Sequence, residues 1–430
     1  MLSIWKMVGL YTSLAVGLFA YLYLPLIASR RSLDPESVGA LLEESQLALN
    51  KGPNADNKHI VSIVTGSTNG IGRELVGQLY NLGMTVVVAS RNAAKCDRVV
   101  QEIRAEYPAS RGELKSGVID TADLESVASF ARDFMSSGSK LHLLVLNAGI
   151  HYASTEIGGK PAMDPTVIAV SPQGYDLAFA TNYLGHFLLA KMLQPLLQSS
   201  GPGTRLINVA SSYHMQSDGS GLKQGKSEKP TSTTAQRAAR WGPMNFAPRA
   251  ARSDNPTSAH RQDSYSNNKL AQVLHAKELQ RRLNTAAATA GGTQPLIALS
   301  FCPGWVDTGI IPDNIGGNAL RKLAFNSKAA TIGLLGGLFS NRVSGGEFVS
   351  IFRNVITTRS WAKGFFKTVT RWGIRGPMTH LLAAVILFTQ GASYGFTIAP
   401  PSPEADDEFL ARQLYDWSED AVAPYCGDNY

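Results

Sequence analysis

Cysteine is scarce in this chain, with three residues among 430. Cys96, Cys302 and Cys426 lie far apart, and no Cys-x-x-Cys pair occurs. The spacing supports neither a disulfide framework nor a zinc site, so we expect no metal and favour a reducing compartment. No internal repeat is visible. With 44% hydrophobic and 17% charged residues the composition is globular, and the length allows one large α/β domain with additions or two modest domains.

Acidic residues are too few to balance the basic ones, and the net charge is +7. Such a balance suits nucleic acid, an anionic membrane surface or a phosphate-rich cofactor. The positive charge lies in residues 214–263 and in a late aromatic segment, and neither contains a recognisable nucleic-acid motif. Nucleic acid is therefore not an expected partner.

Charged side chains are absent from the apolar run Met7 to Ser29. At about 1.5 Å per residue in a helix, this run is long enough to cross a hydrocarbon core of about 30 Å. Its length, its aromatic residues and the arginines that follow it favour an uncleaved membrane anchor in residues 1–31 over a signal peptide, a transit peptide or a buried helix. The pair Arg30-Arg31 favours a cytosolic catalytic part, and the endoplasmic reticulum or a related organelle is the expected membrane.

After the anchor, the polar residues 32–57 are interpreted as a linker with a short helix around Ser37 to Leu49. Strands that alternate with helices, and that form continuous apolar runs, then predict a Rossmann-type doubly wound parallel sheet in one domain over residues 58–430. The predicted strands are Ile60 to Thr65, Thr85 to Ala89, Lys115 to Ile119, Leu141 to Leu146, Leu206 to Ala210 and Leu296 to Phe301. The predicted helices are Gly72 to Leu82, Ala93 to Tyr107, Asp123 to Met135, Tyr175 to Gln198 and Ser264 to Leu283.

Two stretches interrupt this alternation. Residues 214–263 have little hydrophobic periodicity and are interpreted as an irregular insertion. Residues 347–380 carry basic and aromatic side chains from Arg353 to Arg375, which suit the headgroup layer of a membrane; a solvated helix with core aromatics is the alternative. The run Leu381 to Phe388 is short for a second span, so we predict the last core helix there, followed by a final strand at Tyr394 to Ile398.

Glycines cluster where the first predicted strand meets the first helix, in Thr65-Gly66-Ser67-Thr68-Asn69-Gly70-Ile71-Gly72. Small residues let backbone amides approach a pyrophosphate, whose charge the helix N-terminus favours. Glycines at this spacing also occur in an ordinary tight turn. Their place between strand and helix in the first βαβ unit predicts a dinucleotide site.

The second predicted strand lacks a carboxylate at its end, where Ser90 and Arg91 follow Ala89. An acidic residue there would hold the ribose 2′-hydroxyl of NAD, whereas an arginine suits the 2′-phosphate of NADP. The sequence therefore favours NADP(H) over NAD, although Arg91 also fits a solvated residue at a helix start. Asp120, after the third strand, is placed either to accept from the adenine amino group or to cap the next helix.

Tyr265 and Lys269 stand four residues apart on a predicted helix and therefore share one face. A nearby ammonium favours the phenolate form of a tyrosine. The spacing alone is common, but Asn147-Ala148-Gly149, Ser211-Ser212 and Pro303-Gly304 each end a predicted strand. Because ligands bind beyond the carboxyl ends of parallel strands, all of these groups are expected at one edge of the sheet.

Together these motifs resemble the classical short-chain dehydrogenase/reductase family, and within it the branch of retinol dehydrogenases and the WW-domain-containing oxidoreductase. The spacing G-x-x-x-G-x-G and Thr181-Asn182-Tyr183-Leu184-Gly185-His186-Phe187 carry the resemblance with Asn208 to Ser212, Tyr265-x-x-x-Lys269 and Pro303 to Thr308. The resemblance covers about His59 to Thr308, with a weaker echo in Leu410 to Glu419.

In that family, four residues act together, and the resemblance assigns their roles to Asn182, Ser212, Tyr265 and Lys269. It implies that Tyr265 is the acid/base, that Ser212 hydrogen-bonds to the substrate oxygen, that Lys269 lowers the pKa of Tyr265 and binds the nicotinamide ribose, and that Asn182 holds a water of the proton relay. The cofactor-binding set it implies is Thr65, Gly66, Ser67, Asn69, Gly70, Ile71, Gly72, Arg91, Asp120, Asn147, Ala148, Gly149, Tyr265, Lys269, Pro303, Gly304, Val306 and Thr308.

The expected function is that of a membrane-anchored, NADP(H)-dependent alcohol dehydrogenase or carbonyl reductase. Since the anchor places the site near dissolved lipid, a retinoid, steroid or polyprenoid is the expected type of substrate. A non-catalytic nucleotide-binding interaction module of the same fold is the alternative. The identity of the substrate, the direction of the reaction and the oligomeric state, a homodimer included, stay open.

Overall fold

The computed structural model describes residues 35–50, 55–217, 219, 222, 258–292, 296–309, 327–350 and 397–427, apart from 163, 165, 166, 168 and 305 within those ranges. Several expectations concern other residues. The run Met7 to Ser29, the middle of the insertion, the segment Arg353 to Arg375 and the run Leu381 to Phe388 lie outside the described residues. Within the described part of the chain, no helix is long and apolar enough to cross a membrane.

A single large sheet forms the centre of the described domain. Its strands are β1 Asn57–Thr65, β2 Met84–Ser90, β3 Glu113–Val118, β4 Leu143–Leu146, β5 Thr204–Val209, β6 Leu296–Cys302, β7 Phe348–Ser350 and β8 Thr397–Ala399. Their spatial order is β8-β7-β6-β5-β4-β1-β2-β3, and every neighbouring pair is parallel except β7 and β8. From β1 the chain adds β2 and β3 on one side of the sheet and then β4 and β5 on the other, so the order of strands reverses between β1 and β4. Open α/β sheets bind their ligands at such a point.

Helices cover both faces of this sheet, as a doubly wound fold requires. They are α1 Pro35–Glu44, α2 Gly70–Asn81, α3 Ala93–Glu106, α4 Leu124–Ser136, α5 Gly185–Ser199, α6 Ser258–Thr289, α7 Ser327–Phe339 and α8 Glu408–Cys426. On one face, α4, α5, α6 and α8 enclose a hydrophobic core, and on the other α1, α2, α3 and α7 enclose a second one. The predicted Rossmann-like architecture is confirmed.

Strand β2 shows why the buried strands lack an alternating pattern. Every residue of β2 is buried. Val86 and Val88 pack into the core beneath α2 and α3, whereas Val87 and Ala89 pack into the opposite core. Because successive side chains point to opposite faces, a strand covered on both sides needs apolar residues at every position.

Short polar side chains mark the starts of several helices. Asn92 accepts a hydrogen bond from Lys95 N at 2.9 Å before α3, and Asp123 accepts one from Glu125 N at 3.1 Å before α4. These contacts satisfy amides that have no partner within the helix. Since Asp123 is the N-cap of α4, the structure does not give that role to Asp120.

The structure differs from the sequence prediction at several boundaries. Helix α6 begins at Ser258, so residues 258–263 belong to this helix and not to the insertion. The segment interpreted as a linker packs on the domain, because Leu47 is buried and Glu44 accepts hydrogen bonds from Ser340 and Arg342. Helix α7, strand β7 and helix α8 have no counterpart among the predicted elements, and α8 follows the run that we predict as the last core helix.

Candidate active site

The glycine turn between β1 and α2 lies against the loop that follows β4. Gly66 has a φ of +66°, and a Cβ atom there would lie 2.7 Å from Ala148 Cα. Gly70 has a φ of +55°. Side chains rarely adopt this conformation, and at Gly66 no space exists for one. The turn therefore has no side chain at Gly66 or Gly70 and leads directly into the N-terminus of α2, where helices favour anions.

Buried hydroxyl groups hold this turn in place. Thr65 Oγ1 accepts hydrogen bonds from Asn147 N at 2.9 Å and Ala148 N at 3.0 Å, which ties β1 to the end of β4. Ser67 Oγ accepts a hydrogen bond from Ala89 N at 2.8 Å, which ties the turn to β2. Both side chains are buried, so their hydrogen bonds fix the backbone of the turn.

The remaining residues of the predicted turn divide between core and surface. Ile71 is buried among apolar side chains, whereas Asn69 is exposed at the N-cap of α2. A Cβ atom at Gly70 would lie 3.0 Å from Thr308 Cγ2. The segment after β6 thus meets the glycine turn, and Pro303, Gly304, buried Val306 and Thr308 belong to the same edge of the sheet.

Asn182 lies in a π-helical turn, Ala180–Leu184, that interrupts the predicted long helix before α5. Its side chain pairs with the backbone of Ile150, accepting from Ile150 N at 2.8 Å and donating to Ile150 O at 3.0 Å. A Cβ atom at Gly149 would lie 3.3 Å from Asn182 Oδ1. Asn182 therefore fastens the loop Asn147-Ala148-Gly149, and π-helical turns of this kind are frequent at functional sites.

Ser212 follows the end of β5, beside the end of β6. Its backbone N–H donates a hydrogen bond to Cys302 Sγ at 3.1 Å. Ser211 has a different role, because its side chain accepts from Tyr213 N at 3.2 Å and caps the short 3₁₀ helix Ser212–Gln216. The side chain of Ser211 is thus engaged in capping, and the choice of Ser212 stays a prediction.

Tyr265 and Lys269 are both buried on α6. The ammonium of Lys269 lies 5.4 Å from the centre of the Tyr265 ring and donates to Val209 O at 2.8 Å. Burial lowers the pKa of Lys269 to about 7 and raises the pKa of Tyr265 above its ordinary value. The printed contacts place both residues beside Ser212: Lys269 binds the carbonyl of Val209 at the end of β5, and the Tyr265 ring lies 5.7 Å from the ring of Tyr213, the residue after Ser212.

Two rings flank the tyrosine. The ring centroids of His151 and Tyr265 lie 4.6 Å apart in an edge-to-face contact, and those of Tyr213 and Tyr265 lie 5.7 Å apart. Burial, and then the charge of Lys269, lower the pKa of His151 to about 4. His151 is therefore a neutral aromatic neighbour of Tyr265 at neutral pH.

Arg91 and Asp120 lie beyond the carboxyl ends of β2 and β3. Arg91 is exposed, and Ser90 before it is buried with its hydroxyl 3.2 Å from Cys96 Sγ. Asp120 is half-buried, and its Oδ1 accepts a hydrogen bond from Ala122 N at 3.0 Å. These positions fit the adenosine end of a dinucleotide whose pyrophosphate lies on the glycine turn.

Comparison with known proteins agrees with this geometry. A family model for short chain dehydrogenases matches residues 60–220. A short-chain dehydrogenase/reductase of Emericella nidulans is 30% identical over 270 residues, which cover 62% of this chain and 73% of that protein. The chain belongs to the short-chain dehydrogenase/reductase family. It is therefore an NAD(P)-dependent oxidoreductase.

Other relatives of this short-chain dehydrogenase/reductase have narrower names. Polyprenol dehydrogenase of Mus musculus is 35% identical over 58% of this chain, and the match spans 60% of that relative. Retinol dehydrogenase 13 of Mus musculus is 26% identical over 84% of this chain and 82% of the relative. The predicted likeness to the retinol dehydrogenase branch is confirmed. A crystal structure from Mycobacterium paratuberculosis, with 21% identity and a TM-score of 0.50 over 85% of this chain and 93% of that one, has the same fold.

Sequence reasoning missed several residues of this short-chain dehydrogenase/reductase site. His186 hydrogen-bonds to Thr65 Oγ1 at 2.9 Å through Nε2 and to Asn182 O at 3.1 Å through Nδ1, and it thus connects the glycine turn to the π-helical turn. It stands four residues after Asn182 within a motif already recognised, so helical spacing could have identified it. Cys302 directly precedes Pro303, and its place at a strand end could have identified it.

Proposed function

We propose that this enzyme transfers a hydride between NADP(H) and a hydroxyl or carbonyl group of a lipophilic substrate, of the retinoid, steroid or polyprenoid type, while anchored to a membrane. The observation that carries the proposal is the position of buried Tyr265 and Lys269 beside Ser212 at the end of β5, at the same edge of the sheet as the glycine turn. Acid/base groups beside a nucleotide-binding turn are what hydride transfer to or from an alcohol carbon requires.

Each side chain of the site has a distinct task in this proposal. When bound, the nicotinamide supplies the hydride chemistry. Tyr265 exchanges a proton with the substrate oxygen, and Ser212 hydrogen-bonds to the same oxygen. Because burial in the protein alone raises the pKa of Tyr265, its ionisation depends on positive charge close to the phenol. Lys269 contributes such a charge below its own lowered pKa of about 7.

The preference for NADP(H) rests on the end of β2. Ser90 offers no carboxylate to a ribose 2′-hydroxyl, and Arg91 is exposed where a 2′-phosphate would lie in a Rossmann-type site. A guanidinium group binds phosphate through paired N–H donors, which supports this role for Arg91.

Two observations support a lipophilic substrate at a membrane. Relatives that cover much of the chain are named polyprenol and retinol dehydrogenases, and both names denote lipid alcohols. The apolar run Met7 to Ser29 is long enough for a membrane anchor. An anchored enzyme would meet its substrate in the bilayer, with the catalytic domain on the cytosolic side of the endoplasmic reticulum or a related organelle.

Turnover by the detergent-solubilised full-length protein tests this proposal. We expect oxidation or reduction of at least one compound in a panel of retinoids, steroids and polyprenols, with NADP(H) preferred over NAD(H) by about tenfold or more because of Arg91. Cofactor absorbance gives the rate. If no compound in the panel supports cofactor turnover, the proposed lipid oxidoreductase activity is refuted. Faster turnover with NADH than with NADPH would refute the role of Arg91.

Tyr265→Phe separates the enzyme from a non-catalytic nucleotide-binding module. Loss of the phenol oxygen removes the proton exchange, so we expect kcat to fall by about 100-fold or more. NADPH affinity, measured by fluorescence titration, should stay within about twofold, since the ring is retained. A variant with wild-type kcat would contradict the assigned acid/base role.

A further inference from the structure

The carboxylate of Asp176 lies where three segments of the active site meet. Asp176 is half-buried, and its Oδ2 accepts a hydrogen bond from the Tyr152 hydroxyl at 2.6 Å. Its Oδ1 accepts one from Phe179 N at 2.9 Å and a longer one from the Ser264 hydroxyl at 3.4 Å. Because a carboxylate is a charged acceptor, it holds such donors more strongly than a neutral oxygen does.

These contacts exceed those of an ordinary helix cap. An N-cap side chain accepts from the second or third residue of its own helix, as Asp176 does from Phe179 in the short helical turn Leu177–Phe179. Tyr152 and Ser264 belong to other elements and lie 24 and 88 residues from Asp176 in the chain. One carboxylate therefore joins three separate elements.

Tyr152 connects this carboxylate to the loop that follows β4. It is buried, and its hydroxyl donates to Asp176 while it accepts from Ala178 N at 3.2 Å. The residue before it, His151, lies edge-to-face against Tyr265, with ring centroids 4.6 Å apart. A displacement of Tyr152 should therefore move the ring that packs on the Tyr265 phenol.

The other two donors lead to the helices of the site. Ser264 is buried and directly precedes Tyr265 on α6. Phe179 directly precedes the π-helical turn Ala180–Leu184, which carries Asn182. A displacement of the carboxylate should therefore be transmitted to the phenol and to the Asn182 turn.

We propose that Asp176 is a positioning residue that sets the orientation of Tyr265 relative to His151 and Asn182. It acts through its hydrogen bonds to Tyr152 and Ser264, and catalysis depends on the orientation because a small misplacement of reacting groups slows a reaction strongly. This inference rests on the proposed function, because it concerns the acid/base group of the same site.

Asp176→Asn tests this role with little change in the shape of the side chain. The variant replaces one acceptor oxygen by an N–H donor, so the carboxylate can no longer hold all three donors in place. We expect kcat to fall about tenfold, with NADPH affinity within about twofold because the glycine turn is not part of the contact. A wild-type kcat would overturn the proposal.

Asp123→Asn is the matched control. Asp123 is also an N-cap, since it accepts from Glu125 N at 3.1 Å before α4, and it also binds the segment after β4, by accepting from Gln173 Nε2 at 2.7 Å. We expect the Tm of both variants to fall by a few degrees, but only Asp176→Asn to lose kcat. Equal kcat values would reduce Asp176 to an ordinary helix cap.

A double-mutant cycle tests whether the carboxylate transmits the effect of the two hydroxyls. We expect Tyr152→Phe and Ser264→Ala each to lower kcat about threefold in the wild type, and to lower it by much less when Asp176 is already asparagine. The same losses in both backgrounds would show that the hydroxyls act independently of Asp176, which would overturn the proposed route.

Fluorine NMR of the protein labelled with fluorotyrosine gives a readout that does not depend on turnover. The Tyr265 signal is identified by its loss in Tyr265→Phe, and its shift reports the contact with the His151 ring. We expect this signal to move in Asp176→Asn and to stay in place in Asp123→Asn. An unmoved signal in Asp176→Asn would refute the positioning role. Absence of turnover with every lipid substrate would refute the proposed function alone, since the NMR result would still decide about Asp176.

Discussion

At the scale of single residues, Cys302 shows how a thiol can serve a site without reacting. Its sulfur accepts a hydrogen bond from Ser212 N at 3.1 Å. Burial raises the pKa of the thiol, so it stays protonated at neutral pH. One buried atom thus holds the start of the 3₁₀ helix Ser212–Gln216 against the end of β6.

Cys302→Ala should weaken catalysis by disordering Ser212. Without the sulfur, the Ser212 N–H has no acceptor, and a buried unpaired donor costs about 1–3 kcal/mol. We expect kcat to fall about tenfold, which corresponds to about 1.4 kcal/mol, with NADPH affinity unchanged. Cys426→Ala is the control, since its buried thiol contacts Val422 O in α8. Equal kcat values for the two variants would contradict this positioning.

At the scale of elements, the glycine turn depends on the contact between two loops. The space that a Gly66 side chain would need is filled by the backbone of Ala148, and Thr65 Oγ1 binds the same loop. The β1–α2 turn and the β4 end therefore form a unit. A change in one should displace the other, together with the backbone amides of the glycine turn.

Gly66→Ala should disrupt cofactor binding more than it disrupts folding. An alanine at this positive φ costs about 1–2 kcal/mol. Its Cβ atom would also clash with the backbone of Ala148, so the turn would have to move. We expect NADPH affinity to fall about tenfold or more. Gly138→Ala is the control, because Gly138 has a φ of +68° but no atom within 4 Å of its Cβ position. Fluorescence titration measures the NADPH affinity of both variants, and thermal unfolding measures their stability. A similar loss of affinity in Gly66→Ala and Gly138→Ala would contradict the role of the loop contact.

At the scale of the whole molecule, burial of histidines sets a response to acid. Burial lowers the pKa of His186 and His142 to about 4 and that of His275 to about 3. These values lie below the ordinary value of 6.5, so the unfolded chain binds more protons in the interval. The contribution of these neutral histidines to the stability of the folded state is complete above pH 6.5 and is lost as the pH falls towards 4.

His275→Phe should reduce this acid sensitivity. His275 packs among Phe187 and Tyr415, which an aromatic replacement can also contact. For a histidine that stays neutral in the folded state, the free energy of unfolding falls by about 1.4 kcal/mol for each pH unit below 6.5. Between pH 6.5 and 5, the free energy of unfolding of the variant should therefore fall by about 2 kcal/mol less than that of the wild type. Denaturant unfolding at both pH values measures the difference. His59→Gln, at an exposed position, should follow the wild type.

Much of the site follows from local sequence. Glycines at Gly66 and Gly70 predict a turn with positive φ, and the strand-end motifs predict one shared edge, because parallel strands bring their carboxyl ends together. Helix α7 could not be predicted in this way. It is apolar all round and shows no helical period, and β7 is only three residues long.

The sequence alone therefore determined the chemistry, through Tyr265, Lys269 and the glycine turn, since these depend on residues close together in the chain. Tertiary structure alone decided that Cys302 holds Ser212 and that Gln272 holds Asn182, across 90 residues of chain in each case. Such pairs leave no periodic signal, because they form only where two strand ends or two helices meet in space.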